Sequence, residues 1–119
     1  MILSRKYTFQ AARKLTKVRK DHLCANLHGH TFQVTIKIEG PLNRENDFVI
    51  DFFDFDEIFN AVVYKILDHK FLNNIDGLAN PTTENVAIWI WNALIKKINI
   101  LNEVSVFEND LYGCTYKGD

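Results

Sequence analysis

Apolar and polar side chains alternate along residues 30–40, and this period of two predicts a β-strand with one buried face. The apolar positions of the strand are Phe32, Val34, Ile36 and Ile38. Similar alternation predicts three further strands, over residues 2–13, 100–108 and 111–117. The chain therefore begins and ends with a pair of strands.

Between the two strand pairs, apolar residues recur at the spacing of α-helices. A first helix is predicted to open at Asp51 or Asp54 and to end near Leu67. Its apolar face comprises Phe55, Ile58, Phe59, Val62, Val63, Ile66 and Leu67. A second helix begins with Asn80 or Thr82 as its cap. The residues that it is expected to bury are Val86, Trp89, Ile90, Ala93 and Leu94.

The order of these elements, β-β-α-α-β-β, predicts an α+β fold. Strands that follow one another closely in sequence pair antiparallel, and apolar helix faces must be covered. We therefore expect a four-stranded antiparallel sheet with both helices on one face. A length of 119 residues suits one domain, which we expect to span residues 1–119.

Composition narrows the class of protein. Hydrophobic residues make up 47% of the chain and the net charge is −1, as in ordinary soluble proteins and unlike nucleic-acid-binding proteins. The basic stretch 13–22 is either a solvated loop or a rim that attracts a phosphorylated substrate. No apolar run is long enough to span a membrane, and no export signal is recognised. Two cysteines and no export signal predict a cytoplasmic protein with reduced thiols.

The stretch 24–30 concentrates chemically active side chains. It contains Cys24, and it places His28 and His30 on the apolar side of the predicted second strand. Two imidazoles on a face that should be buried either coordinate a metal or have other polar partners. The sequence pattern favours neither alternative.

Polar groups also end other apolar stretches. Arg13 follows Tyr7 and Ala11 on the first strand, unless the strand ends earlier and the side chain is solvated. The pair Asp68-His69 follows the first helix, where it either stabilises the helix end or transfers protons. Glu108 ends the apolar face of the third strand.

Taken jointly, these stretches resemble the 6-pyruvoyl-tetrahydropterin synthase family across essentially the whole chain. The matching stretches are residues 9–12, 24–30, 49–52, 67–73 and 80–85, together with Glu108. The spacing from Cys24 to His28 and His30 is most similar to the bacterial branch, the 6-carboxytetrahydropterin synthases of the queuosine pathway. The resemblance implies the tunnelling fold, in which subunits join their sheets into a barrel, usually as homohexamers with active sites between subunits.

The resemblance also implies a role for each candidate residue. His28 and His30 match two zinc ligands, and Glu108 matches the carboxylate that anchors the pterin ring. Cys24 matches the catalytic thiol, and Asp68 with His69 matches its partner acid and base. The implied substrate is 7,8-dihydroneopterin triphosphate, which the bacterial branch converts to 6-carboxytetrahydropterin with loss of triphosphate and acetaldehyde.

Arg13 departs from the family pattern, which has a third zinc-ligand histidine at this position. A guanidinium has no free lone pair and repels a cation, so it cannot replace that ligand. Three alternatives follow. Arg13 could stabilise a developing oxyanion without zinc, His22 could replace the missing ligand, or the chain could bind a pterin or purine without turnover. We expect a lyase of this family; the alternatives are a silent, zinc-free pterin-binding homologue and a 6-pyruvoyl-tetrahydropterin synthase.

Overall fold

A computed structural model describes all 119 residues of the chain. Five strands form one sheet in the order β3-β1-β2-β4-β5. Their bounds are Ile2–Arg13 for β1, His28–Glu39 for β2, Lys70–Phe71 for β3, Leu101–Phe107 for β4 and Gly113–Tyr116 for β5. The sheet is thus built on the four strands that the alternation predicts, with one more at its edge.

The additional strand β3 makes the sheet mixed and corrects the expectation of four antiparallel strands. β1 pairs with β2, β2 with β4, and β4 with β5, all antiparallel. β3 instead runs parallel to β1, with Lys70 opposite Ala11 and Phe71 opposite Ala12. A strand of two residues has no alternation for a sequence pattern to reveal.

The first helix begins at Phe52 and ends at Leu67. The Asp51 side chain caps it by accepting a hydrogen bond from the Phe53 amide at 2.8 Å. Its middle, Asn60–Tyr64, is a π-helical turn, flanked by α-helix over Phe52–Phe59 and Lys65–Leu67. The side chains it buries completely are Phe55, Phe59, Val63 and Leu67.

The π-helical turn explains one wrong prediction about this helix. The α-helical period places Ile66 on the buried face, yet Ile66 is 38% exposed. A π-helical turn holds more residues than an α-helical turn, so the last turn is rotated relative to the first. Leu67 is fully buried as a result.

The second helix, Thr83–Ile95, has Thr82 as its cap. The Thr82 hydroxyl accepts a hydrogen bond from the Asn85 amide at 3.1 Å. Val86, Ile90 and Leu94 are buried as predicted, together with Ala87, whereas Trp89 and Ala93 are only partly buried. No helix of the structure has both the length and the apolar character needed to cross a membrane.

One core joins the sheet to both helices, and it comprises 20 buried hydrophobic residues. On the sheet, the buried apolar side chains are those that share a face with Phe9 and Phe32, whose rings stack at 5.0 Å. The register of β1 and β2 sets Ala11 opposite His30 and Arg13 opposite His28. The chemically active residues of both strands therefore lie together at one end of the core.

Candidate active site

His28 and His30 lie next to each other at the start of β2. Their rings meet edge to face, with centroids 4.7 Å apart. His28 Nδ1 donates a hydrogen bond to the Asn26 carbonyl at 2.7 Å, and in the neutral form of this ring the lone pair is on Nε2. That Nε2 atom is buried and has no hydrogen-bond partner in the chain. Burial, followed by the nearby charge of Arg13, lowers the pKa of His30, so this ring is neutral near pH 7.

Arg13 is the last residue of β1, and its side chain is buried rather than solvated, with 1% of the residue exposed. One guanidinium nitrogen donates to the Pro81 carbonyl at 2.9 Å and to the Thr83 hydroxyl at 3.4 Å. The other forms an ion pair with Glu108. The guanidinium also lies 5.0 Å from the centre of the Phe32 ring.

Glu108 follows directly after β4, and two donors converge on one of its carboxylate oxygens. Oε1 accepts hydrogen bonds from both Arg13 and Thr83. Burial opposes ionisation, yet these two partners lower the pKa of Glu108 below its ordinary value. Glu108 lines an open cavity of about 420 Å³ with Thr83, Glu84, Tyr112, Gly113 and Cys114. The carboxylate is therefore ionised at the wall of a space that a ligand can enter.

Asp68 and His69 form a hydrogen-bonded pair where the first helix ends. Asp68 Oδ2 accepts from His69 Nδ1 at 2.7 Å, and Asp68 Oδ1 accepts from the Gln10 amide at 2.9 Å. His69 has a φ of 59°, in the left-handed region that L-residues seldom adopt. Such strain is frequent at functional sites. His69 and His30 line the same cleft of about 460 Å³, which lies beside the paired ends of β1 and β2.

The Cys24 thiol is not hydrogen-bonded to this pair within one chain. It belongs to a short 3₁₀ turn, Leu23–Ala25, and its amide donates to His22 Nδ1 at 3.0 Å. Hydrogen bonds at Cys24 involve only its backbone, so the thiol bonds to neither Asp68 nor His69. The structure brings together Arg13 with Glu108, and His28 with His30, whereas the Cys24 thiol makes no hydrogen bond to Asp68 or His69.

The sequence of residues 2–119 matches the family model described as 6-pyruvoyl tetrahydropterin synthase. The chain belongs to this family. Family members are lyases that act on pterins. The family membership that the sequence motifs predict is therefore confirmed.

Relatives within the family differ in their named activities. An Archaeoglobus fulgidus protein provisionally named 6-carboxy-5,6,7,8-tetrahydropterin synthase is 37% identical over 110 residues, which cover 92% of this chain and 90% of the relative. The dihydroneopterin monophosphate aldolase of Pyrococcus furiosus is 38% identical over 73% of this chain and 75% of its own length. The structure of Caenorhabditis elegans 6-pyruvoyl tetrahydropterin synthase superimposes with a TM-score of 0.92 at 25% identity, covering all of this chain and 96% of that one.

Enzymes of the family are commonly zinc-dependent, but the residues of this chain do not fit a three-histidine zinc site. A buried cation, Arg13, stands at the third ligand position, opposite His28. No group of three or more His, Cys, Asp or Glu side chains is close enough together to hold a metal ion. The substitute ligand suggested by the sequence, His22, is exposed and bonds to the Cys24 amide.

Sequence analysis does not identify two groups that hydrogen-bond to candidate site residues. The Thr83 hydroxyl holds Glu108, although the pattern around it indicates only a helix start. The Gln10 amide holds Asp68, and a backbone group of a strand carries no sequence signal. Cys114 lines the Glu108 cavity and is half-buried; burial, followed by the charge of Glu84, raises the pKa of its thiol.

Proposed function

We propose that this protein is a 6-carboxytetrahydropterin synthase. It converts 7,8-dihydroneopterin triphosphate and water to 6-carboxytetrahydropterin, triphosphate and acetaldehyde, in the cytoplasmic route to queuosine. The observation that carries this proposal is the Asp68–His69 pair, whose 2.7 Å bond and left-handed backbone hold an acid and base at a cleft that His30 also lines. A left-handed residue after a helix is usually glycine or asparagine, and a histidine held in this conformation is more typical of a functional site.

In this proposal Glu108 binds the substrate, and Cys24 and His69 transfer protons. The ionised Glu108 accepts hydrogen bonds from the paired N–H groups of the pterin's pyrimidine ring. The Cys24 thiol moves a proton at the substrate side chain. Asp68 orients His69 through Nδ1, so that Nε2 exchanges a proton with the substrate. Because the Cys24 thiol has no hydrogen bond to Asp68 or His69 within one chain, we propose that the complete site forms between subunits of a homo-oligomer, a hexamer.

The test is direct turnover. The purified protein is incubated with 7,8-dihydroneopterin triphosphate, and chromatography identifies the pterin product. We expect 6-carboxytetrahydropterin with stoichiometric triphosphate and acetaldehyde, and turnover in His69→Ala reduced by about 10²–10⁴-fold. The product 6-pyruvoyltetrahydropterin would assign the chain to the other branch. Exclusive turnover of dihydroneopterin monophosphate would assign it the activity named for the Pyrococcus furiosus relative.

A second candidate function is a pterin-binding protein without turnover. The observation that favours it is the buried Arg13, which occupies a ligand position of a site that family enzymes commonly fill with zinc. This candidate predicts saturable pterin binding and no product after prolonged incubation. Saturable binding with product formation would exclude it.

A further inference from the structure

The Arg13 side chain is fixed in place by its surroundings. Its guanidinium reaches Pro81, Thr83 and Glu108, three groups on two other segments of the chain. With only 1% of the residue exposed, Arg13 cannot turn outward without breaking these contacts and leaving their buried partners unpaired. Rotation of Arg13 out of the site to admit a metal is therefore costly.

The space that a metal would share with His28 and His30 already contains a positive charge. Arg13 lies directly across the β1–β2 ladder from His28, and Arg13 Nε and His28 Nε2 are both buried without partners. The nitrogen through which His28 would bind a metal, Nε2, therefore belongs to the residue that pairs with Arg13 across the ladder. A dication beside that guanidinium would be repelled by several kcal/mol at an effective dielectric constant of about 20.

The Arg13 guanidinium also fixes the position of the Glu108 carboxylate, which faces the cavity. Arg13 and Thr83 both bond to Glu108 Oε1, whereas Oε2 has no hydrogen-bond partner in the chain and is not among the buried atoms without partners. Glu108 lines the 420 Å³ cavity, so Oε2 is the oxygen that remains available to a ligand. The protein therefore holds one carboxylate oxygen, Oε1, and the other, Oε2, is free to accept hydrogen bonds from N–H groups of a ligand.

We infer that Arg13 replaces the metal of this site with an internal cation, which excludes zinc from His28 and His30 and positions Glu108 for a pterin ring. The second part of the inference rests on the proposed function, because it takes the ligand to be a pterin. The first part depends only on the residues of this chain. Arg13 is a positioning residue here, acting through Glu108.

Zinc content tests the exclusion. The unmodified protein and Arg13→His are purified without chelator, incubated with excess zinc, desalted and measured by atomic spectrometry. We expect about one zinc per chain in Arg13→His and less than about 0.1 in the unmodified protein. Near-stoichiometric zinc in the unmodified protein would overturn the inference. So would an Arg13→His variant that folds and still binds none, because Arg13 would then not be what excludes the metal.

Binding of pterin itself, followed by its fluorescence, tests the positioning. Arg13→Met removes the charge and keeps the length of the side chain, and we expect the Kd to rise about tenfold or more. Arg13→Lys should recover most of the lost affinity, a rescue that a purely space-filling role would not give. Arg5→Met is the matched control, because Arg5 lies on the same strand and pairs with Asp56 at 2.9 Å, away from Glu108.

Thr83→Val keeps the test decisive if Arg13→Met does not fold, because it removes the other donor to Oε1. Unchanged pterin affinity in the folded variant, or equal losses in Arg13→Met and Arg13→Lys, would overturn the positioning role. These results are distinct from those expected if the proposed reaction does not occur. The protein would then bind pterin with the same dependence on Arg13 and form no product, and the zinc result would be unaffected.

Discussion

Asp68 links two elements through a single carboxylate. One oxygen accepts the Gln10 amide of β1, and the other accepts His69 Nδ1. Burial raises the pKa of this carboxyl, but the bonds from Gln10 and His69 prevail, so the folded pKa is below the ordinary 3.8. A depressed pKa adds stability that is fully present above the unfolded value and is lost as the pH falls through the folded value.

We therefore predict that the free energy of unfolding depends less on pH in Asp68→Asn than in the unmodified protein at acid pH. Between about pH 5 and about pH 3, its free energy of unfolding should fall less steeply than that of the unmodified protein. Urea unfolding at a series of pH values measures this slope. Asp110→Asn, which changes an exposed aspartate in the β4–β5 turn, should follow the unmodified protein. Parallel slopes for Asp68→Asn and the unmodified protein would show that Asp68 titrates alike in the folded and unfolded states.

Individual residues were predictable from the sequence where a pattern or a family match marked them. Alternation placed His28, His30 and Arg13 on the buried face, and the structure shows that the strand continues through Arg13. The partner of Arg13 was not predictable, because Glu108 is 95 residues away and only the sheet register and the second helix bring the two together. The catalytic roles of Cys24, Asp68, His69 and Glu108 stay predictions.

At the scale of elements, the first helix departs from a regular α-helix. Its π-helical turn, Asn60–Tyr64, directs Leu67 into the core and delivers Asp68 to the Gln10 amide. π-helical turns are frequent near functional sites, and here the turn sets the orientation of the acid–base pair. A period of 3.6 residues cannot reveal such an interruption, which explains the wrong expectation for Ile66.

Alanine substitution of neighbouring residues tests this rotation. Leu67→Ala should lower the free energy of unfolding by about 2–5 kcal/mol, because it empties a fully buried position. Ile66→Ala is the matched control, and its loss should be about 1 kcal/mol or less, since the side chain is 38% exposed. Urea unfolding measures both values. A larger loss for Ile66→Ala would mean that the last turn follows the uninterrupted α-helical register.

The start of the second helix offers another prediction. Thr82→Ala removes the hydroxyl that accepts the Asn85 amide and should cost about 1 kcal/mol of unfolding free energy. Thr82→Ser keeps the hydroxyl and should restore most of that loss. Thr16→Ala, at an exposed loop position, should have little effect in the same denaturation experiment. Equal stability of Thr82→Ala and the unmodified protein would argue against a capping contribution.

For the whole molecule, the sequence predicted the order of the four main strands and two helices, and a solved family structure matches this α+β fold, although the sheet is mixed and has five strands. The short strand β3 was missed because tertiary pairing to β1, not local pattern, creates it. Assembly into a barrel is not a property of a single chain and stays a prediction. The observation that supports it is that the Cys24 thiol makes no hydrogen bond to Asp68 or His69 of its own chain.

Mixed oligomers test whether the site forms between chains. Cys24→Ala and His69→Ala chains, each inactive alone, should regain turnover when they are unfolded and refolded together. If each site takes Cys24 from one subunit and His69 from another, random mixing restores about one quarter of the sites. Mixed chains that assemble without recovering activity would place both residues in the same subunit.

The left-handed backbone of His69 has a consequence for laboratory evolution. An L-residue in this conformation costs about 1–2 kcal/mol relative to the right-handed form, and glycine or asparagine adopts it more readily. A screen that rewards heat resistance alone would therefore favour glycine or asparagine at position 69. If His69 has the proposed catalytic role, the surviving variants would be more stable but inactive, so a library selected for thermostability should keep codon 69 fixed.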